Sequence, residues 1–107
     1  MKGNRIKQLR EEKGLKQEEL AKVLSVAPST IGMYERDERE PNDSITLKIA
    51  EYFGVSTDYL LGKTNIKNIE DEFKTIYSKE IEGLTEEEIK EALEFYKIVK
   101  NNKNKEK

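Results

Sequence analysis

From Asn4 to Gly62 the apolar residues recur at intervals of three and four, and polar runs cut the chain into short segments. That period belongs to helices with one inward face, and no alternating stretch suggests a strand. The first segment, IKQLREEK, puts Ile6 and Leu9 inward; Asn4 is the expected N-cap and Gly14 suits C′, where a left-handed backbone is needed. A second helix is expected over Gln17 to Leu24, with Ser25, Val26 and Ala27 as the turn. Pro28 then opens a third helix, where its missing N–H costs nothing. The stretch from Asp37 to Asp43 is polar, contains Pro41 and reads as a loop. A fourth helix should run from about Ser44 to Phe53, stopped by Gly54, and Ser56 caps a short fifth, TDYLL, closed by Gly62. Five short helices in about 60 residues make an all-α domain.

The remainder keeps a helical period with a different shape. Ile66, Ile69, Phe73 and Ile76, with Tyr77 adjacent, form one narrow stripe on a helix expected over 66–79. Ile81 to Leu84 breaks the pattern. Thr85 and Glu88 then form a capping box, and Leu84 can staple against Ile89. The helix that follows, TEEEIKEALEFYKIVK, places Glu first and Lys late, as the helix dipole favours. Its apolar residues Ile89, Ala92, Leu93, Phe95, Tyr96, Ile98 and Val99 span more than half the circumference, too wide for one neighbour. A helical hairpin that pairs with a second copy would cover the excess. The candidate dimerisation residues are therefore Ile66, Ile69, Phe73, Ile76, Ile89, Leu93, Phe95, Tyr96, Ile98 and Val99; packing back on the first domain is the alternative. The chain divides into a domain at 1–64, a helical segment at 65–101 and a polar end at 102–107 expected to be disordered.

Composition narrows the chemistry. The 107 residues are 35% hydrophobic and 39% charged, with no Cys and no His, which removes disulfides, zinc fingers and histidine-based catalysis. No metal, cofactor or catalytic residue is expected, because no phosphate loop, Ser/Lys pair or carboxylate pair appears in a setting with room for a pocket. There is no run approaching the ~18 apolar residues of a membrane span and no apolar stretch near the start, so a cytoplasmic location without membrane contact is the expectation.

The segment QEELAKVLSVAPSTIGMYER, residues 17–36, turns Leu20, Ala21, Leu24, Val26, Ile31 and Tyr34 inward. This is the interior spacing of a helix-turn-helix, whose second helix can enter a DNA major groove. Charge counsels against a simple basic binder: residues 1–64 carry 11 Lys/Arg and 11 Asp/Glu, and residues 65–107 carry 9 and 11. Any phosphate-facing surface must come from local clustering of Lys2, Arg5, Lys7, Arg10, Lys13 and Lys16, or of Arg36 and Arg39.

The stretches NRIKQLREEKGLKQEELAKVLSV, STIGMYERDEREP and LKIAEYFGVSTDYLLG resemble the lambda-repressor-like, Cro/C1-type helix-turn-helix family, also called the XRE family. The resemblance implies a five-helix DNA-binding domain in a transcriptional regulator. A repressor is expected because the chain has no obvious activating surface, and the homodimer suggested by the last helix would place two recognition helices about 34 Å apart on a two-fold symmetric double-stranded operator. The resemblance also implies that Gln17, with Lys16 close by, contacts phosphate at the start of the second helix, and that Arg10 and Glu35 form a partly buried ion pair. Recognition falls to helix 28–36. Its groove-facing positions are Ala27, Pro28, Ser29, Gly32 and Met33, short of the long amides and cations that make bidentate bonds to bases. Thymine methyl contacts, close approach at Gly32 and DNA shape would then carry specificity. Thr30, Arg36 and Arg39 complete the expected phosphate set. Two positions depart from the family's habit: Ser25 stands where Gly is common in the turn, and Asp37 where Gly or Asn is common after YER. A protein-interaction module, such as an antitoxin or a regulator seized by a protein antagonist, is the competing function, and the wide apolar face of the last helix supports it.

Overall fold

The structure, a computed structural model, describes residues 1–105, with side chains as far as Asn102. Among these residues there are seven helices and no strand: α1 (Gly3–Glu12), α2 (Gln17–Leu24), α3 (Pro28–Glu35), α4 (Asp43–Phe53), α5 (Thr57–Leu61), α6 (Ile69–Ile76) and α7 (Glu86–Lys105). The chain forms two compact units, the first ending at Lys67 and the second starting at Asn68.

The first unit closes over Ile6, Leu20, Leu24, Ile31, Ile49 and Leu60, all fully buried, with Leu9, Ala21, Tyr34, Ala50, Val55 and Tyr59 around them. Ile6, Leu9, Leu20, Ala21, Leu24, Ile31 and Tyr34 are inward as their spacing predicts, while Val26 is only half-buried. Four of its five helices are bounded as their local sequence suggests. Asn42 and Ser56 cap α4 and α5 by accepting from the Ile45 and Tyr59 amides at 2.9 and 3.0 Å, and Gly14, Gly54 and Gly62 take left-handed backbone at the helix ends. Ser25 does the same at φ 58°. It tolerates the turn conformation that glycine would take more cheaply.

The start of α1 differs from expectation. Asn4 is not its N-cap: the helix begins at Gly3, Lys2 occupies the cap position and no local side chain caps it. Instead the Gly3 amide donates to Asp37 Oδ1 at 2.8 Å, from the loop that follows α3. Asp37 itself sits at φ 58°. The cap is supplied from 34 residues away, which no local signal could reveal, and it accounts for an aspartate at this left-handed position.

The second unit is a helical pair. Asn68 caps α6 through the Asp71 amide at 2.8 Å, so the helix is shorter than the 66–79 span and Ile66 belongs to the first unit. The capping box at Thr85 is present, with the Thr85 amide donating to Glu88 Oε1 at 2.9 Å and the Glu88 amide donating to Thr85 Oγ1 at 3.2 Å. Phe73 and Leu93 are buried between the two helices, and the Phe73, Tyr77 and Tyr96 rings lie 5.4 to 5.8 Å apart. Helix α7 continues through Lys105, into the stretch expected to be disordered; residues 106 and 107 lie outside the described residues.

The Tyr96 hydroxyl donates to Glu72 Oε2 at 2.7 Å, and Lys100 Nζ lies 3.2 Å from the same oxygen. The bond holds the Glu72 carboxylate below its ordinary range and pushes the Tyr96 phenol up to about 12. Folding favours the neutral phenol, so the stabilisation is complete below the ordinary tyrosine value of 10.0 and is lost as pH rises through about 12. At the acid end, the Glu72 contribution disappears as that carboxylate protonates. A phenolate absorbance titration should show one of the five tyrosines ionising near 12, and Tyr96→Phe should remove that step. A titration in which Tyr96→Phe removes a step at the ordinary value would refute the bond.

Candidate nucleic-acid interface

Helices α2 and α3 pack through Leu20, Ala21, Leu24, Ile31 and Tyr34, and this shared core sets how α3 is presented. Ala27, Pro28 and Ser29 at its N-terminal end are exposed, and Met33 is half-buried one turn on. Ala27 occupies the N-cap position without a side-chain cap bond, and Pro28 at the first helical position has no N–H to leave unpaired. Lys16 and Gln17 lie beside it, lining a shallow groove with Arg10, Glu18 and Pro28. Five expected contact residues thus come together on one surface: Lys16, Gln17, Ala27, Pro28 and Ser29.

Others are placed differently. Thr30 is only 8% exposed, leaving little surface for a phosphate. Gly32 is buried; an added Cβ there would meet Arg36 Nη1 at 3.0 Å and Gln17 Nε2 at 3.7 Å. The α3 surface at Gly32 is therefore occupied by the Arg36 guanidinium, folded back over the preceding turn as helical side chains tend to do. Arg36 is also paired: Nε donates to Glu38 Oε2 at 2.6 Å and Nη2 to Glu38 Oε1 at 3.3 Å. The pair keeps Arg36 charged to higher pH than usual and holds the Glu38 carboxyl below its ordinary range. Arg39 is exposed.

Two arginines of the expected basic cluster serve the fold instead. Arg5 donates to the Tyr59 and Thr64 carbonyls at 2.5 and 2.6 Å and stacks 4.2 Å over the Tyr59 ring. Arg10 reaches across to Glu35, Nε to Oε2 at 2.6 Å and Nη2 to Oε1 at 3.2 Å, while Nη1 donates to the Leu15 carbonyl at 2.7 Å. The hydrogen bond to Glu35 raises the Arg10 pKa. Gln17 Nε2 donates to the same Glu35 at 3.1 Å, so the carboxylate ties the starts of α2 and the end of α3 to α1. The Arg10–Glu35 pairing matches the arrangement that the family resemblance implies, and the added Gln17 bond had no signal in the spacing of residues.

In the second unit, Phe73 and Leu93 are consumed within the helical pair, and Ile69, Ile89 and Tyr96 are partly covered. Phe95, Ile98, Ile76 and Val99 remain 69%, 57%, 55% and 45% exposed. No helix among the described residues is long and apolar enough to cross a membrane, and no group of His, Cys, Asp and Glu there could hold a metal.

Known proteins share this arrangement. A helix-turn-helix family profile matches residues 6–60. The HTH-type transcriptional regulator ImmR of Bacillus subtilis (strain 168) is 36% identical over 88 residues, covering 80% of this chain and 69% of that protein. The P22 c2 repressor, solved in complex with the synthetic operator 9T, is 34% identical with a TM-score of 0.52, over 54% of this chain and 88% of that one. A SinR protein/SinI protein complex gives 30% identity and a TM-score of 0.55, over 94% of this chain and 99% of that one. With the motif, the buried α2–α3 core and these relatives in agreement, the chain belongs to the lambda-repressor-like Cro/C1-type (XRE) helix-turn-helix family and is a DNA-binding transcriptional regulator rather than an enzyme.

Proposed function

We propose that this regulator is a cytoplasmic repressor that binds a two-fold symmetric operator as a homodimer, with α3 in the major groove. The observation that carries the reading is the exposed N-terminal end of α3, with Ala27, Pro28 and Ser29 beside Lys16 and Gln17. Ala27, Pro28 and Met33 meet thymine methyls, Ser29 supplies a hydroxyl, and Lys16, Gln17 and Arg39 contact phosphates. Gln17 must give up or share its bond to Glu35 to do so. A neutral domain makes few phosphate contacts, so two copies on one operator multiply a modest interaction. The exposed Phe95, Ile98, Ile76 and Val99 supply the face on which the copies meet.

The test is retention of the full chain on its own genomic DNA fragments across a salt series, together with sedimentation. A steep fall of log affinity with log salt, and a dimer that Phe95→Glu with Ile98→Glu turns into a weakly binding monomer, are the expected results. Retention that ignores salt would defeat the reading. A second reading is favoured by the likeness to the SinR/SinI complex: the same apolar face takes a protein antagonist. A wild-type chain that stays monomeric at every concentration would favour that reading over the homodimer.

A further inference from the structure

The exposed α3 residues leave a recognition surface with one hydroxyl and no long polar side chain, yet a guanidinium lies on that surface. Arg36 belongs to the residue after the helix, but it folds back over Gly32 and comes close to the Gln17 amide. Its Nε and Nη2 are taken by Glu38, and among the described residues Nη1 has no acceptor. The two side chains are 59% and 54% exposed, and a pair that open contributes only about 0–1 kcal/mol to stability. Its geometry therefore matters more than its energy.

A bare arginine at this place would serve as a phosphate anchor. Bracing by a carboxylate changes that: the local charge is largely balanced, which weakens attraction to phosphate, while the bidentate bond biases the guanidinium plane, and so its remaining N–H donors, towards one orientation. Paired donors so oriented suit the O6 and N7 acceptors of guanine in the major groove. We infer that Arg36, laid over Gly32, is the side chain of this domain that reads a guanine, and that Glu38 is its positioning residue. Gly32 matters because a side chain there would push the guanidinium away.

The inference rests on the operator-binding reading above, and one experiment separates the two. The full chain, Arg36→Ala and Glu38→Gln are each carried through selection from a randomised duplex library, with affinities of the enriched sequences measured over a salt series. The wild type should enrich G·C at one fixed position in each half-site. Arg36→Ala should lose that preference alone, by roughly 5- to 150-fold, and Glu38→Gln should relax it at the same position with less loss of overall affinity. If Arg36→Ala weakens all sequences equally, with a salt slope lower by about one and an unchanged base profile, Arg36 is a phosphate anchor and the inference fails. A Glu38→Gln profile identical to wild type overturns the bracing role. A wild type that enriches no sequence defeats the operator-binding reading itself.

Discussion

Glu35→Ala should destabilise the first unit by about 3–5 kcal/mol, the usual consequence of stripping the partner from a buried charge. The Glu35 and Arg10 side chains are 4% and 11% exposed, and the guanidinium would keep only the Leu15 carbonyl among the partners described above. Arg10 cannot escape by losing its proton, since a guanidinium stays protonated in proteins even without a partner. Gln17 would lose its acceptor too. For a domain of this size the unfolding midpoint should fall by about 4–8 °C per kcal/mol. Glu35→Gln should cost less, because it retains an acceptor for Arg10. Denaturant unfolding of both variants checks this, and an Ala variant within about 1 kcal/mol of wild type would mean the pair is effectively solvated.

Gly3→Ala should be the second severe change, although glycine to alanine within a helix normally helps. Here an added Cβ would lie 2.3 Å from the Tyr34 carbonyl oxygen and 2.6 Å from that of Glu35. Both are backbone atoms and cannot swing aside. The α1 start is also pinned, by Lys2 donating to the Leu60 carbonyl and Gly3 to Asp37. Overpacking of this kind costs about 1–3 kcal/mol, and displacing the Asp37 cap adds to it. Asn4→Ala is the control: without a capping role it should stay within about 0.5 kcal/mol of wild type. A larger loss for Asn4→Ala than for Gly3→Ala in thermal unfolding would reverse the assignment of the cap.

These two sites show where sequence reading succeeds and stops. Helix spacing was legible because Ile6, Leu9, Leu20, Leu24, Ile31 and Ile49 repeat a local geometric period, and Pro28, Gly54 and Ser56 punctuate it by rules acting over a few residues. The Asp37 cap and the grip of Arg5 on Tyr59 and Thr64 join residues 34 to 59 apart, and the Gly3 approach to α3 is just as far from local. Periodicity carries no information about such pairs. On the candidate interface the exposed end of α3 followed from its helical face. The burial of Gly32 did not, because it depends on how one arginine folds beyond the helix end.

From Glu35 to Glu38 the chain alternates in purpose. Residues 35 and 37 point into bonds with Arg10 and Gly3; residues 36 and 38 pair with each other in solvent. Substitutions at the outer pair should therefore cost little stability, while those at the inner pair should cost much more. On the base-reading role proposed for Arg36, such a segment would let related regulators differ in target preference on an unchanged scaffold.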